Sequence, residues 1–320
     1  MRIAVVGATG RIGAKLTENL LAKGHSVKAL SRGGPALDAL VAKGAEPFLG
    51  SFDAGAGELS TFFEDADAAF LMVKTIWEGE DFHGHYPTVA LRFFDALRDS
   101  PVKFAVSLTG MGSEVSGNTG HFQGFHILDQ ILNRLRDINL VHLQGGWFME
   151  DLSRWTDSIA QYDRIGWSLH PNVKAPWVAI QDIADFAAKE FDTPTGQRRS
   201  VKQLGIDYTM PEIATIISRA LGREVDYRFV DTSDQEVETV FRERFGTFDR
   251  WVYDKNTSAA LNDGRVKFRD DRPALPTTME EFVKDTLRPL VEKPPTEGIR
   301  SETFLTWSSQ TSSSPTATKA

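Results

Sequence analysis

Gly7, Gly10 and Gly13 are the residues whose type and spacing point most directly to chemistry. They sit in Gly7-Ala8-Thr9-Gly10-Arg11-Ile12-Gly13, after the apolar run Arg2 to Val6 and before a helical pattern from Ala14 to Lys23. Gly7 permits a tight turn out of a strand, Gly10 lets a pyrophosphate approach bare backbone, and Gly13 lets the next helix pack closely on the sheet. Free N–H groups and the positive end of the helix dipole would then meet phosphate oxygens. With Thr9, Arg11 and Ile12 these glycines form a candidate pyrophosphate cradle. A second strand, Val27 to Leu30, ends at Ser31-Arg32. An acidic residue there would hold a ribose 2′-hydroxyl, whereas a hydroxyl and a guanidinium suit a 2′-phosphate. The pair therefore points to NADP(H) rather than NAD(H), against the plain alternatives of a ligand-free glycine turn and a solvated arginine.

Strands and helices must alternate to hold such a cradle, and through the first half of the chain they do. A helix is expected from about Pro35 to Lys43 and a strand near Pro47 to Leu49, with Phe52 beyond it placed to receive an adenine ring. Asp67 to Val73 reads as a strand that delivers Lys74 toward the nicotinamide side. A long helix is expected from about Tyr86 to Asp99. The strand Val102 to Val106 ends at Ser107-Leu108-Thr109, and ligands bind outside such carboxyl ends, so Ser107 is a further candidate contact. A Gly/Ser-rich loop leads to a helix from roughly Phe122 to Arg136. The strand Leu140 to Leu143 then runs into Gly145-Gly146-Trp147-Phe148. The two aromatics are expected in a cleft wall, with Glu150 and Asp151 orienting the smaller lobe.

The bulk numbers set limits. A chain of 320 residues can bury a large core, and a formal charge of −8 argues against direct nucleic-acid binding or an anionic membrane surface. With no cysteine, disulfides, thiolate nucleophiles and zinc–thiolate sites are excluded. Strand-forming residues begin at Met1 with no signal peptide and no membrane span, so an intracellular, cytoplasmic protein is expected. Seven Trp and twenty-one Phe are enough to line a pocket for an apolar or aromatic substrate as well as the core. His83 and His85 make a His-x-His pair, but without a third ligand nearby a metal site is not expected.

Gly-x-x-Gly-x-x-Gly resembles the short-chain dehydrogenase/reductase superfamily. Together with Phe148-Met149-Glu150-Asp151-Leu152 it is similar to the NmrA-like atypical members. Trp177 to Ala184, Thr209 to Gly222 and Pro276 to Val283 resemble later family segments in the same order, so the resemblance covers about residues 1 to 292. It implies an α/β fold, a doubly wound parallel Rossmann sheet with a second, smaller α/β substrate lobe. The expected division is 1–150 for the NAD(P)-binding domain, with 178–200 returning to it, 151–177 and 201–292 for the lobe, and a disordered Ser/Thr-rich tail over 293–320.

The superfamily's usual proton-transfer pair is Tyr-x-x-x-Lys at the start of the helix after the fifth strand. Here His121 and Phe125 stand at that spacing, with no Tyr or Lys in the stretch. Two functions fit. In one, NADPH reduces a small, largely apolar quinone, enone or carbonyl compound, with His121 or His126 assisting as proton donor, since imidazole titrates near neutral pH. In the other, the protein binds NADP(H) without turnover and reports redox state to a protein partner. The missing lysine favours the second, and the aromatic richness favours the first.

Overall fold

The computed structural model describes residues 1–74, 82–232, 239 and 248–293. The expected tail, apart from Lys293, lies outside these residues, as does the side chain of His83. In chain order the strands are β1 (Arg2–Val5), β2 (Ser26–Ser31), β3 (Glu46–Leu49), β4 (Ala68–Met72), β5 (Phe104–Gly110), β6 (Asn139–Gly145), β7 (Trp147–Phe148), β8 (Arg164–Trp167), β9 (Ala175–Val178), β10 (Arg199–Leu204), β11 (Ile206–Tyr208) and β12 (Asp226–Phe229). The helices are α1 (Arg11–Ala22), α2 (Pro35–Ala42), α3 (Ala56–Phe63), α4 (Phe82–Leu97), α5 (His121–Leu132), α6 (Thr156–Tyr162), α7 (Ile180–Asp192), α8 (Met210–Leu221), α9 (Phe248–Asn262) and α10 (Met279–Phe282).

Seven strands form one parallel sheet in the order β10-β6-β5-β4-β1-β2-β3. The core splits by sheet face, as a doubly wound sheet requires. On one face Ile12, Leu16 and Leu20 of α1 pack with Ile183, Ala187 and Phe191 of α7 over Val5, Val106 and Val141. On the other, Phe62 of α3, Phe93 and Leu97 of α4 and Leu128 of α5 cover Ala4, Leu71 and Ala105. The strand order reverses between β1 and β4, and the turn after β1 opens at that crevice, where such sheets receive ligands.

The rest of the described chain builds a second body around its own core. A three-stranded sheet, β11-β9-β7, and a two-stranded one, β12-β8, surround Trp155, Trp177, Met210, Ile213, Ile217 and Phe282. Two Thr-x-x-Glu capping boxes start helices here, Thr209 with Glu212 on α8 and Thr278 with Glu281 on α10. Three local expectations are adjusted. Helix α3 fills a stretch in which no element was expected. Helix α4 starts at Phe82 and carries Pro87 in its second turn, and α5 stops at Leu132, four residues before Arg136.

Candidate functional site

The glycine turn is fixed by sterics. Gly7 has φ +70°, and a Cβ there would lie 2.8 Å from Met72 Sδ. A Cβ on Gly13 would fall 2.0 Å from the Gly7 carbonyl oxygen, which only a bare α-carbon avoids. Gly10 N–H donates to the Gly7 carbonyl (2.9 Å), so the turn closes on itself. The N-terminus of α1, at Gly10, has no side-chain cap and no acidic residue in its first turn. Its orphan amides and dipole are thus left for an anion. Ile12 sends its side chain into the core, so its backbone amide is what it offers there.

Arg11 turns away from the turn it belongs to. Its Nη2 donates to Asp151 Oδ1 (3.0 Å), and its guanidinium lies 5.6 Å from the centre of the Phe148 ring. The glycine turn is thereby tied to the segment after β7. The neighbouring Glu150 carboxylate accepts from Ile180 N–H through both oxygens (3.0 and 3.1 Å), capping α7. Burial pushes that carboxyl up, against the opposing pull of the backbone donors. Glu150 thus holds the start of α7, and Asp151 holds Arg11 of the glycine turn.

At the end of β2, the Ser31 and Thr9 hydroxyls meet at 3.1 Å, and Gly33 N–H donates to Ser31 Oγ (3.2 Å). Ser31 is buried and holds this corner, while Arg32 projects into solvent beside it. Phe52 lies half-buried, edge-on to the His85 ring at 6.0 Å. Lys74 is exposed, and its carbonyl accepts from His85 Nε2 (2.9 Å). Among the described residues no group of three or more His, Cys, Asp or Glu side chains could hold a metal.

From Phe52 a row of rings continues along the carboxyl edge of the sheet: His85 meets Tyr86 at 5.8 Å, Tyr86 meets Phe125 at 5.6 Å and His121 at 6.4 Å, and His121 meets Phe125 at 4.7 Å. Two glycines make room for it. A Cβ on Gly110 would strike the Phe125 ring at 2.4 Å, and one on Gly124 would strike Tyr86 at 2.5 Å. β5 runs on to Gly110, so Ser107, expected at the strand's end, lies in its middle; Ser107 and Thr109 are buried, with hydroxyls that find no partner among the described residues.

The two histidines separate. The His121 ring is turned inward, with Nδ1 out of reach of solvent, and burial lowers its pKa to about 4. Burial thus disfavours the extra proton that a donor needs, while the ring forms part of the aromatic wall. His126 keeps the role open. Its Nδ1–H donates to the Ser113 carbonyl (2.7 Å), leaving Nε2 as the second ring nitrogen. The sequence reading missed Tyr86 and Phe125 as a wall, because residues on different helices signal no contact by spacing. It also missed Asp129 on α5 and His142 on β6, the latter signalled by His142 and Gln144 standing two apart on one face of the strand.

Several known proteins are similar to this chain in sequence or in fold. Pinoresinol reductase 1 of Arabidopsis thaliana is 23% identical over 252 residues, covering 73% of this chain and 78% of that protein. An NADPH-dependent quinone oxidoreductase of Escherichia coli, solved with NADPH, superposes with a TM-score of 0.71 at 18% identity over 88% of this chain and 98% of that one. The negative transcriptional regulator NmrA, solved with NAD, gives 0.69 at 16% identity over 90% and 95%. The family model for the NmrA-like family matches residues 1–283, most of the chain, and this protein belongs to that family.

Proposed function

We propose that this protein is an NADPH-dependent oxidoreductase that reduces a small, largely apolar quinone, enone or carbonyl compound. The observation that carries the reading is the uncapped start of α1 at the sheet's switch point, on a turn where the protein's own backbone leaves no room for a Cβ at Gly13. Gly7, Gly10 and Gly13, with the amides of Thr9, Arg11 and Ile12, would hold the pyrophosphate, and Arg32 the 2′-phosphate. Phe52 would lie against the adenine. Ser107, and Lys74 at the end of β4, would meet the nicotinamide half, the buried Ser107 hydroxyl gaining the partner it lacks. When bound, the nicotinamide supplies hydride chemistry, and the chain supplies orientation and exclusion of water. The second body, built on the β11-β9-β7 and β12-β8 sheets, would close over the substrate with Trp147 and its neighbours.

The relatives support this class of activity. A second reading, an NADP(H)-binding redox sensor acting through a protein partner, is favoured by the neutral His121 and by Phe125 at the lysine spacing. Calorimetric titration with NADPH and NADH, then NADPH consumption on a quinone panel, separates the two. Binding with turnover is expected; binding without turnover on any acceptor supports the sensor, and no binding overturns both. Arg32→Asp should erode NADPH affinity about tenfold or more while sparing NADH, the loss of one charge-assisted phosphate contact. An unchanged preference removes Arg32 from the site.

A further inference from the structure

The face of the sheet beneath α5 is polar where a helix-covered sheet is ordinarily apolar. Ser107 of β5 stands beside His142 of β6, Thr109 beside Gln144, and Gln144 beside Gln203 of β10. Asp129 of α5 completes the layer. Ser113, Asp129, His142, Gln144 and Gln203 are 1%, 6%, 2%, 2% and 3% exposed, so every polar group in it has been taken from water. Burying a carboxylate beside an imidazole seldom stabilises a fold more than well-packed apolar side chains would. The layer calls for a role other than stability.

Its bonds converge on one residue. Ser113 Oγ–H donates to Asp129 Oδ2 (2.6 Å), and Gln144 Nε2 donates to the same hydroxyl. His142 Nδ1 lies 2.8 Å from Asp129 Oδ1, out of line for a hydrogen bond, and His142 Nε2 lies 2.9 Å from Asn133 Oδ1. Gln203 Nε2 donates to Gln144 Oε1 (2.9 Å), and Arg269 N–H donates to Gln203 Oε1 (2.9 Å), which ties in the segment leading to α10. The titratable and charged groups around the layer are Asp129, His142 and Arg199, the last held by the carbonyls of Asn133 and Ile138. Ser113 is thus gripped through its hydroxyl, while its carbonyl accepts His126 Nδ1–H at 2.7 Å. Asp129 and His126 are three residues apart on α5 and share a face.

We propose that Asp129 and Ser113 are positioning residues that fix His126 as its Nδ1–H tautomer, with His142 supporting the carboxylate from the sheet, so that Nε2 is the nitrogen through which a proton reaches the reduced acceptor. The use of that proton rests on the reductase reading; the tautomer does not. In the step, the acceptor gains hydride from bound NADPH as a new C–H bond, and its oxygen gains the proton released from Nε2 of the His126 imidazolium. The acceptor is reduced by two electrons and the cofactor is oxidised to NADP⁺. His126 is left neutral with Nδ1–H still on the Ser113 carbonyl, and takes its next proton from solvent at Nε2.

The test is long-range ¹H–¹⁵N correlation NMR of the histidine rings in the full chain. Wild type should show His126 in the Nδ1–H form at neutral pH, and a predominant Nε2–H form overturns the proposal without any variant. In Asp129→Asn and in the milder Ser113→Ala the Nδ1–H share should fall several-fold; an unchanged tautomer in a folded variant overturns it. With NADPH and a quinone, Asp129→Asn should lower kcat about 10- to 100-fold and shift the pH profile while NADPH affinity holds, as misplacing a proton donor requires. Reduced thermal stability with kcat, pH profile and tautomer all unchanged marks the layer as merely structural and overturns the proposal. No turnover in wild type with the tautomer as expected fails the reductase reading alone.

Discussion

Replacing His121 by glutamine should remove a defined part of the protein's acid sensitivity. The ring is packed edge-on against Phe125 and Tyr86, and burial alone lowers its pKa from 6.5 to about 4. Between these values the unfolded chain binds a proton that the folded one refuses. The contribution to stability is therefore full above about pH 6.5, declines as the pH falls, and is gone below about pH 4. Evaluating the linkage for one such group gives a loss of about 2.5 kcal/mol between pH 7.5 and 4.5, an upper figure because the residue is only partly buried. Carboxylates also cost stability in acid, among them Asp65, Asp192, Glu212 and Glu281, whose values are held down by hydrogen bonds and ion pairs. They are common to both proteins and cancel. Urea unfolding of wild type and His121→Gln at the two pH values gives the double difference. Glutamine lacks the ring, so the variant starts weaker at pH 7.5 but should lose less on acidification. Parallel losses in the two proteins would refute an imidazole held neutral by burial.

Other substitutions test the cradle and its struts. Gly13→Ala places a methyl group against the Gly7 carbonyl, where no rotamer relieves it, and should cost about 3 kcal/mol, or about 6–12 °C in a thermal melt. A melt within about 1 °C of wild type would show that the turn opens freely. Glu150→Ala removes both acceptors of Ile180 N–H and should cost about 1–3 kcal/mol by denaturant unfolding; no loss would mean that water replaces the cap. Arg11→Ala breaks a pair whose partners are 56% and 26% exposed, so stability should change by less than about 1 kcal/mol, and NADPH titration should show nearly unchanged binding because the backbone amide remains. Markedly weaker binding would show that the guanidinium leaves Asp151 for the phosphate.

Legibility in the sequence depends on how local each physical cause is. The glycine turn was legible because three steric demands within seven residues admit only glycine. The alternation of β1 to β6 with their helices was legible because buried parallel strands read as apolar runs. Helix α3 was not: Ala56 to Phe63 is short, carries Gly57 inside it and starts with no side-chain cap, and Leu59, Phe62 and Phe63 hold it by tertiary packing. The Arg11–Asp151 pair joins residues 140 apart in the chain, and no spacing rule reaches that far. His121 read as a candidate proton donor, and no spacing told of Tyr86, which α4 delivers against its ring. The polar layer under α5 did leave a trace in the alternation of Leu140-Val141-His142-Leu143-Gln144, since two polar residues on one face of a central strand must find partners.

The aromatic row also fills the space beside α5 where a lysine at the Tyr-x-x-x-Lys spacing would stand. Phe125 fills the space over Gly110, and Tyr86 fills the space over Gly124, so the α4 side of α5 is closed by rings. A lysine at position 125 would have to place its ammonium among these rings, in contact with Gly110, a costly setting for an unpaired charge. The Asp129 carboxyl lies on the other side of the helix, where it meets His142 and Ser113. On the proposed reading, protons therefore reach the site from the β6 side through one imidazole, His126. That arrangement suits acceptors in which the charge left by hydride addition is spread over a conjugated system, because protonation can then lag behind hydride transfer. A simple ketone concentrates that charge on one oxygen and needs a donor already in place. Quinones and enones should accordingly outpace unconjugated ketones in kcat/KM, and a preference for the ketones would argue that the proton comes from another group.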